Sequence, residues 1–161
     1  MKFISIDPGF EKVGFAIFKK KSKITKDFEF ITSGMIKAPK SIKHENRLKL
    51  IYESLDKLFI KYKVDFMVIE SLFMFKNQKT VLKVAQAIGV TELLAAQKNI
   101  PIERLTPLQI KQAITGYGTA DKKAVAKMIR LELGEKIDFE DDDQSDAVAC
   151  GLAYCYLCGI I

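Results

Sequence analysis

The segment Val64 to Glu70 constrains this chain most. It is a short apolar run, too brief for a helix and without the alternation of a half-exposed strand, and such runs make central strands covered on both faces. A strand of that kind needs partners beside it and helices above and below. Residues 2–7, 13–20 and 27–36 supply partners: they read as a three-strand meander rich in Phe and Ile, punctuated by Asp7-Pro8-Gly9 and by the lysine tract from Lys19 to Lys23. Connections this short impose antiparallel pairing.

The helices follow from spacing. Ser41 to Lys63 carries Leu48, Ile51, Leu55, Leu58 and Phe59 three and four apart, which specifies one buried helix face. A second helix over 77–98 distributes Val81, Leu82, Val84, Ile88, Val90, Leu93 and Leu94 around much of its circumference, more than one sheet face can bury. Ile100 to Leu105 is expected as a fifth strand, and Pro107 starts a short helix that Gly116-Tyr117-Gly118 breaks. Thr119 is expected to cap a helix over 120–133, and Asp143 or a neighbour to open the last helix, through about Tyr156. The order βββαβαβααα gives an α/β fold: a mixed five-stranded sheet, antiparallel meander plus parallel strands, with helices on both faces. One domain over 1–161 is expected, without repeats, linkers or low-complexity segments.

The balance of 26 Lys and Arg against 20 acids leaves a net charge of +6, which must lie on the surface and suits a polyanionic partner. The three cysteines, Cys150, Cys155 and Cys158, sit in one apolar run instead of the spread spacing of a disulfide framework. They read as small core residues of a reducing, cytoplasmic protein. Cys155 and Cys158 form a CxxC, but no second pair exists to complete a zinc site, and His44, the only histidine, is expected as a solvated side chain. No apolar stretch is long enough for a membrane span, and the start of the chain reads as a strand instead of a signal peptide.

Acids recur at element ends: Asp7 closes the first strand, Glu70 closes the central one, and Asp143 and Asp146 open the last helix. Each alone has an ordinary explanation as turn, strand end or helix cap. Together they are informative, because strand ends and a helix start in an α/β sheet converge on one crevice. Carboxylates held close repel one another unless a cation neutralises them, and oxygen-only ligands select a hard ion, Mg²⁺ with Mn²⁺ as substitute. In a basic protein such a cluster suits phosphodiester hydrolysis with two metal ions. With one histidine, no Ser-His-Asp or Cys-His nucleophile competes.

The segments Ile6-Asp7-Pro8-Gly9, Ile69-Glu70-Ser71-Leu72-Phe73, Gly116-Tyr117-Gly118-Thr119-Ala120-Asp121-Lys122 and Asp143-Gln144-Ser145-Asp146-Ala147 occur in this order. With them the sequence resembles the RuvC family of Holliday-junction resolvases, nearly end to end. The resemblance implies a ribonuclease H-like fold, a homodimer, and paired symmetric nicks across a four-way DNA junction. It implies Asp7, Glu70, Asp143 and Asp146 as catalytic metal-binding acids. Phe73 matches an aromatic that stacks on junction bases, and Lys111 and Lys122 match DNA-contacting lysines; stacking and phosphate neutralisation give each role physical sense. The excess apolar surface of helix 77–98 would pack on its twofold mate, with Ile88 at the contact. A branch-migration helicase is a further partner for which the sequence carries no mark.

Two features depart from the family's pattern. The Lys19 to Lys23 hairpin is longer and more basic than the family's, and serves either as a DNA contact or as a solvated tip. The run Glu140-Asp141-Asp142-Asp143 leaves the ligand register open between Asp142 and Asp143, and the Asp-x-x-Asp-Ala pattern favours Asp143. The rival readings are a ribonuclease H-like nuclease for another branched or hybrid nucleic acid, and a non-catalytic junction-binding protein. A sugar- or acyl-kinase relative would need two such lobes, and the chain supplies one.

Overall fold

A computed structural model describes residues 1–21, 27–71, 78–134 and 137–157. The elements are β1 (Lys2–Asp7), β2 (Lys12–Lys20), β3 (Phe28–Lys37), α1 (His44–Tyr62), β4 (Phe66–Glu70), α2 (Gln78–Gln97), β5 (Ile102–Leu105), α3 (Pro107–Thr115), α4 (Lys122–Leu133) and α5 (Asp142–Leu157). They build one five-stranded sheet in the order β3-β2-β1-β4-β5. β1, β2 and β3 pair antiparallel, β4 lies parallel to β1 and β5 parallel to β4. This is the mixed sheet expected from the element order.

Successive side chains of a strand point to opposite faces, and β1 and β4 divide accordingly. Ile4, Ile6, Met67 and Ile69 join Ile51, Leu55 and Leu94 in one core under α1 and α2. Phe3, Phe66 and Val68 join Ile110, Ile129, Val148 and Leu152 in a second core under α3, α4 and α5. β4 is buried from Phe66 to Ile69 on both faces, as its apolar run requires. It starts at Phe66 and not at Val64 because Lys63 takes a left-handed conformation (φ 52°) that closes α1, and the Val64 amide donates to the Phe59 carbonyl.

Two local expectations are corrected, and one buried charge carried no expectation. The cap of α4 is Asp121, not Thr119: the Asp121 carboxylate accepts from the Ala124 amide at 2.8 Å, so the helix begins at Lys122. His44 is half-buried, its ring 4.8 Å from that of Phe10, instead of solvated. Arg47 joins Ile51, Leu55 and Phe59 on the buried face of α1, where periodicity of apolar residues alone did not place it. Its guanidinium lies 3.8 Å over the Phe10 ring and donates to the carbonyls of Ala38 (3.0 Å) and Phe10 (3.1 Å).

α5 crosses the sheet where side chains are smallest. A methyl group built on Gly14 would collide with the carbonyl of Asp143, and one on Gly151 with the Phe18 ring and the Ser5 hydroxyl. Between them Ser5 Oγ donates to the Ala147 carbonyl at 2.7 Å. This close approach buries α5 nearly all round, Cys150 and Cys155 included, in agreement with their reading as core residues; Cys158 lies outside the described residues. Among the described residues no helix is long and apolar enough to cross a membrane.

Candidate active site

The two strand-end acids are neighbours by register. Ile6 pairs with Ile69 in the parallel β1–β4 ladder, so Asp7 and Glu70 follow side by side. Alternation continues Phe3 and Ser5 to Asp7, and Phe66 and Val68 to Glu70, which turns both carboxylates to the α5 face. The contact of Gly14 with Asp143 sets the head of α5 over the end of β1, since Gly14 is also the cross-strand partner of Asp7. Asp143 and Asp146, three apart on that helix, share a side of it.

The electrostatics report the convergence. Burial, then the charges of Glu70, Asp146 and Asp143, push the Asp7 carboxyl up to about 8, with Lys122 opposing. Burial, then Asp146, push Glu70 up to about 7, against Lys122 and Lys111. Asp143 is raised by burial and by Asp141 and Asp146, with Lys12 opposing. Asp142 by contrast points outward, exposed, toward Lys122 at 3.3 Å. Asp143 and not Asp142 therefore shares the cleft with Asp7.

The acids are assembled on one face, yet among the described residues no three His, Cys, Asp or Glu side chains close on a common point as a ligand shell. Asp146 turns instead to Lys122, whose Nζ is 3.0 Å from Oδ2. Burial disfavours the charge of Lys122, but its hydrogen bonds to Asp146 and Asp142 outweigh this and hold its pKa above the ordinary value. Lys122, Lys111 and Lys12 oppose the shifts, yet Asp7, Glu70 and Asp143 all stay raised. Buried carboxyls pushed this far up are a donor set that a divalent cation would satisfy, and all are hard oxygen donors suited to Mg²⁺ or Mn²⁺.

The two lysines that the resemblance implies as DNA contacts stand beside two of the acids. Lys111 on α3 and Lys122 at the head of α4 line a cavity of about 220 Å³ with Glu70 and Asp146. Phe73 lies outside the described residues, as do Ser22 and Lys23 of the basic hairpin, in which Lys19 pairs with Glu29 and Lys21 with Asp27.

Several residues that support the site carried no sequence signal. Gln144, buried between the two α5 acids, donates to Ser33 Oγ on β3 at 2.9 Å and accepts from the Glu140 amide at 2.9 Å, fixing the helix start to the sheet. Lys12 pairs with Asp141, tying the start of β2 to the approach of α5. A lone polar residue in a helix, or a lysine at a strand end, reads as solvated until its partner is known.

The family model for "Crossover junction endodeoxyribonuclease RuvC" matches residues 3–155. A protein of that name from Fusobacterium nucleatum is 43% identical over 150 residues, spanning 92% of this chain and 77% of that one. Its counterpart from Thermosipho melanesiensis is 40% identical over 156 residues, spanning 96% of each. Among solved structures, Thermus thermophilus RuvC in complex with Holliday junction substrate superposes with a TM-score of 0.89 over 99% of this chain and 96% of that one. At 24% identity that likeness speaks to the fold, which is ribonuclease H-like. The match of the family model along almost the whole sequence, with relatives at this identity, makes the chain a member of the RuvC family of crossover junction endodeoxyribonucleases.

Proposed function

We propose that this protein resolves four-way DNA junctions, nicking two strands symmetrically by hydrolysis of phosphodiester bonds. The observation that carries the reading is the adjacency of Asp7 and Glu70 at the ends of parallel strands, beneath Asp143 and Asp146, with both carboxyls held far above their ordinary range despite the lysines beside them. The family is one of metal-dependent nucleases. Asp7, Glu70, Asp143 and Asp146 are the residues that would hold Mg²⁺, with Mn²⁺ as substitute and two ions per site. Held by these residues, divalent ions would supply positive charge to the scissile phosphate and would lower the pKa of water toward neutrality.

The chain's own residues bind and orient the DNA. Lys111 and Lys122 neutralise phosphates on the Glu70 side of the acids. Phe73, three residues beyond Glu70 in sequence, stacks on an unpaired junction base, a contact worth about 1–3 kcal/mol in such sites. Buried carboxylates repel a phosphate that arrives without cations, so binding and cleavage separate: the lysines serve the first and the acids the second.

A twofold junction calls for a twofold enzyme, and α2 offers the surface. Its outward stripe is Leu82 (68% exposed), Gly89 and Leu93 (54% exposed), with open space above Gly89. Ile88 packs half-buried against the chain's own core, so the contact with a second copy centres on Leu82 and Leu93 and not on Ile88. Dimers built on this stripe would set two sites toward two strands of one junction.

The decisive experiment uses a synthetic four-way junction with Mg²⁺. Asp7→Asn and Glu70→Gln should each abolish nicking while leaving junction binding intact. Nicking by both variants at the wild-type rate would remove these acids from the reaction, and tight binding without cleavage by wild type in Mg²⁺ and in Mn²⁺ would make the protein a junction binder only.

A further inference from the structure

The acids of the site are shared between two cavities, one on the α3–α4 side and one beside the first turns of α2. Glu70 and Asp146 line the smaller with Lys111 and Lys122. Asp7 and Asp143 line a second, of about 430 Å³, with Pro8, Phe10, Lys12 and Lys83. A nucleic-acid strand whose phosphate rests over the acids continues on both sides of it. The second cavity falls within the size range of small-molecule pockets, roughly 300–1,000 Å³, whereas the first, at about 220 Å³, lies below it.

The charged groups of the second cavity are mostly committed. Lys12 pairs with Asp141, and Glu11 with Lys40 at 3.2 Å. Lys83, on the first turns of α2, is exposed and rests with Nζ 5.8 Å from the centre of the Phe10 ring. A ring orients a cation without cancelling its charge, which stays available to an anion. The ring is itself held firmly: Phe10 is 6% exposed, with the buried Arg47 stacked on it and bonded to its carbonyl. The floor of the cavity is thus built, and among the described residues that line it Lys83 is the cation without an ion-pair partner.

Resting on the function proposed above, we infer that this second cavity receives the nucleotide adjoining the cleaved bond, and that Lys83 binds its phosphate. The substrate strand then runs from the α3–α4 side, across the acids, to the head of α2.

The test combines Lys83→Met, Lys83→Arg and, as a control on an ion-paired lysine of α1, Lys49→Met. Equilibrium binding of a four-way junction is measured against salt, and single-turnover nicking is measured on junctions carrying one methylphosphonate at each position flanking the cut. Loss of one phosphate contact should flatten the slope of log K on log salt by about 0.7–0.9 in Lys83→Met, and leave it unchanged in Lys83→Arg and Lys49→Met. One methylphosphonate beside the cut should slow the wild type and have no further effect on Lys83→Met. A wild type that nicks junctions with a slope unchanged by Lys83→Met, or with every methylphosphonate effect additive to that substitution, overturns this inference alone. A wild type that neither binds nor nicks a junction overturns the function and the inference with it.

Discussion

Gly14 on β2 and Asp143 at the head of α5 meet backbone to backbone, with no space for a side chain on the strand. The acid's position over Asp7 depends on that hydrogen. Gly14→Ala should force the helix start off the sheet, costing about 1–3 kcal/mol as overpacking does, and lower nicking by about 100-fold, the penalty of roughly an ångström of misplacement. Gly151→Ala, crowding Phe18 and Ser5 farther along the helix, should cost similar stability with a smaller loss of nicking. Thermal melts beside single-turnover rates separate the two.

Protonation and metal should compete for the same acids. Asp7 and Glu70 bind protons in the fold up to about pH 8 and about pH 7, well above their ordinary values of 3.8 and 4.5. Between those limits the folded state holds more protons than the unfolded one, so stability falls as pH rises. The melting temperature of chelator-treated protein should therefore drop from about pH 5 to about pH 8, and Asp7→Asn should remove much of the drop. Mg²⁺ should raise the melting temperature more at the higher pH. A metal-free melt independent of pH over this window, or equal Mg²⁺ stabilisation at both ends, would count against an uncompensated acid pair.

Asp142 and Asp143, adjacent in sequence, should differ sharply in consequence. Asp143→Asn should reduce Mg²⁺-dependent nicking by more than the roughly 10–100-fold that loss of an outer-shell partner costs. Asp142→Asn, removing an exposed ion pair with Lys122, should change nicking by only a few-fold, since surface pairs contribute about 0–1 kcal/mol. Single-turnover rates at saturating Mg²⁺ decide it, and a reversed order of the two effects would shift the ligand by one residue.

Leu93→Glu should yield a folded monomer. The side chain is more than half exposed in the single chain, so its melting temperature should hold, while a charge buried without a partner at a dimer contact costs roughly 3–5 kcal/mol. Sedimentation reads the change of mass, and junction cleavage should turn from paired nicks to single ones. A Leu93→Glu protein that sediments as a dimer would place the contact elsewhere.

The frame of the molecule was legible because it rests on periodicity: the run at Phe66 to Ile69 is buried on both faces, and the strands and helices lie within a few residues of the expected bounds. Asp7 and Glu70 were legible for a related reason, each ending an apolar strand that must surface at the sheet's edge. What escaped was whatever needs a partner to be understood. Arg47 and Gln144 are buried because carbonyls and a hydroxyl far away in sequence receive them, and no local pattern encodes that. Gly14 looks like any strand glycine until α5 is laid across it. The cap of α4 was misplaced by two residues because Thr119 and Asp121 are both good caps, and only the fold selects between them.

The bond from Ser5 to the Ala147 carbonyl joins residues 142 positions apart, nearly the full span of the polypeptide. On the function proposed above, the four acids would stay unassembled during synthesis until α5, which carries two of them, has emerged and docked. Chains released before α5 would lack Asp143 and Asp146 and should be unable to nick.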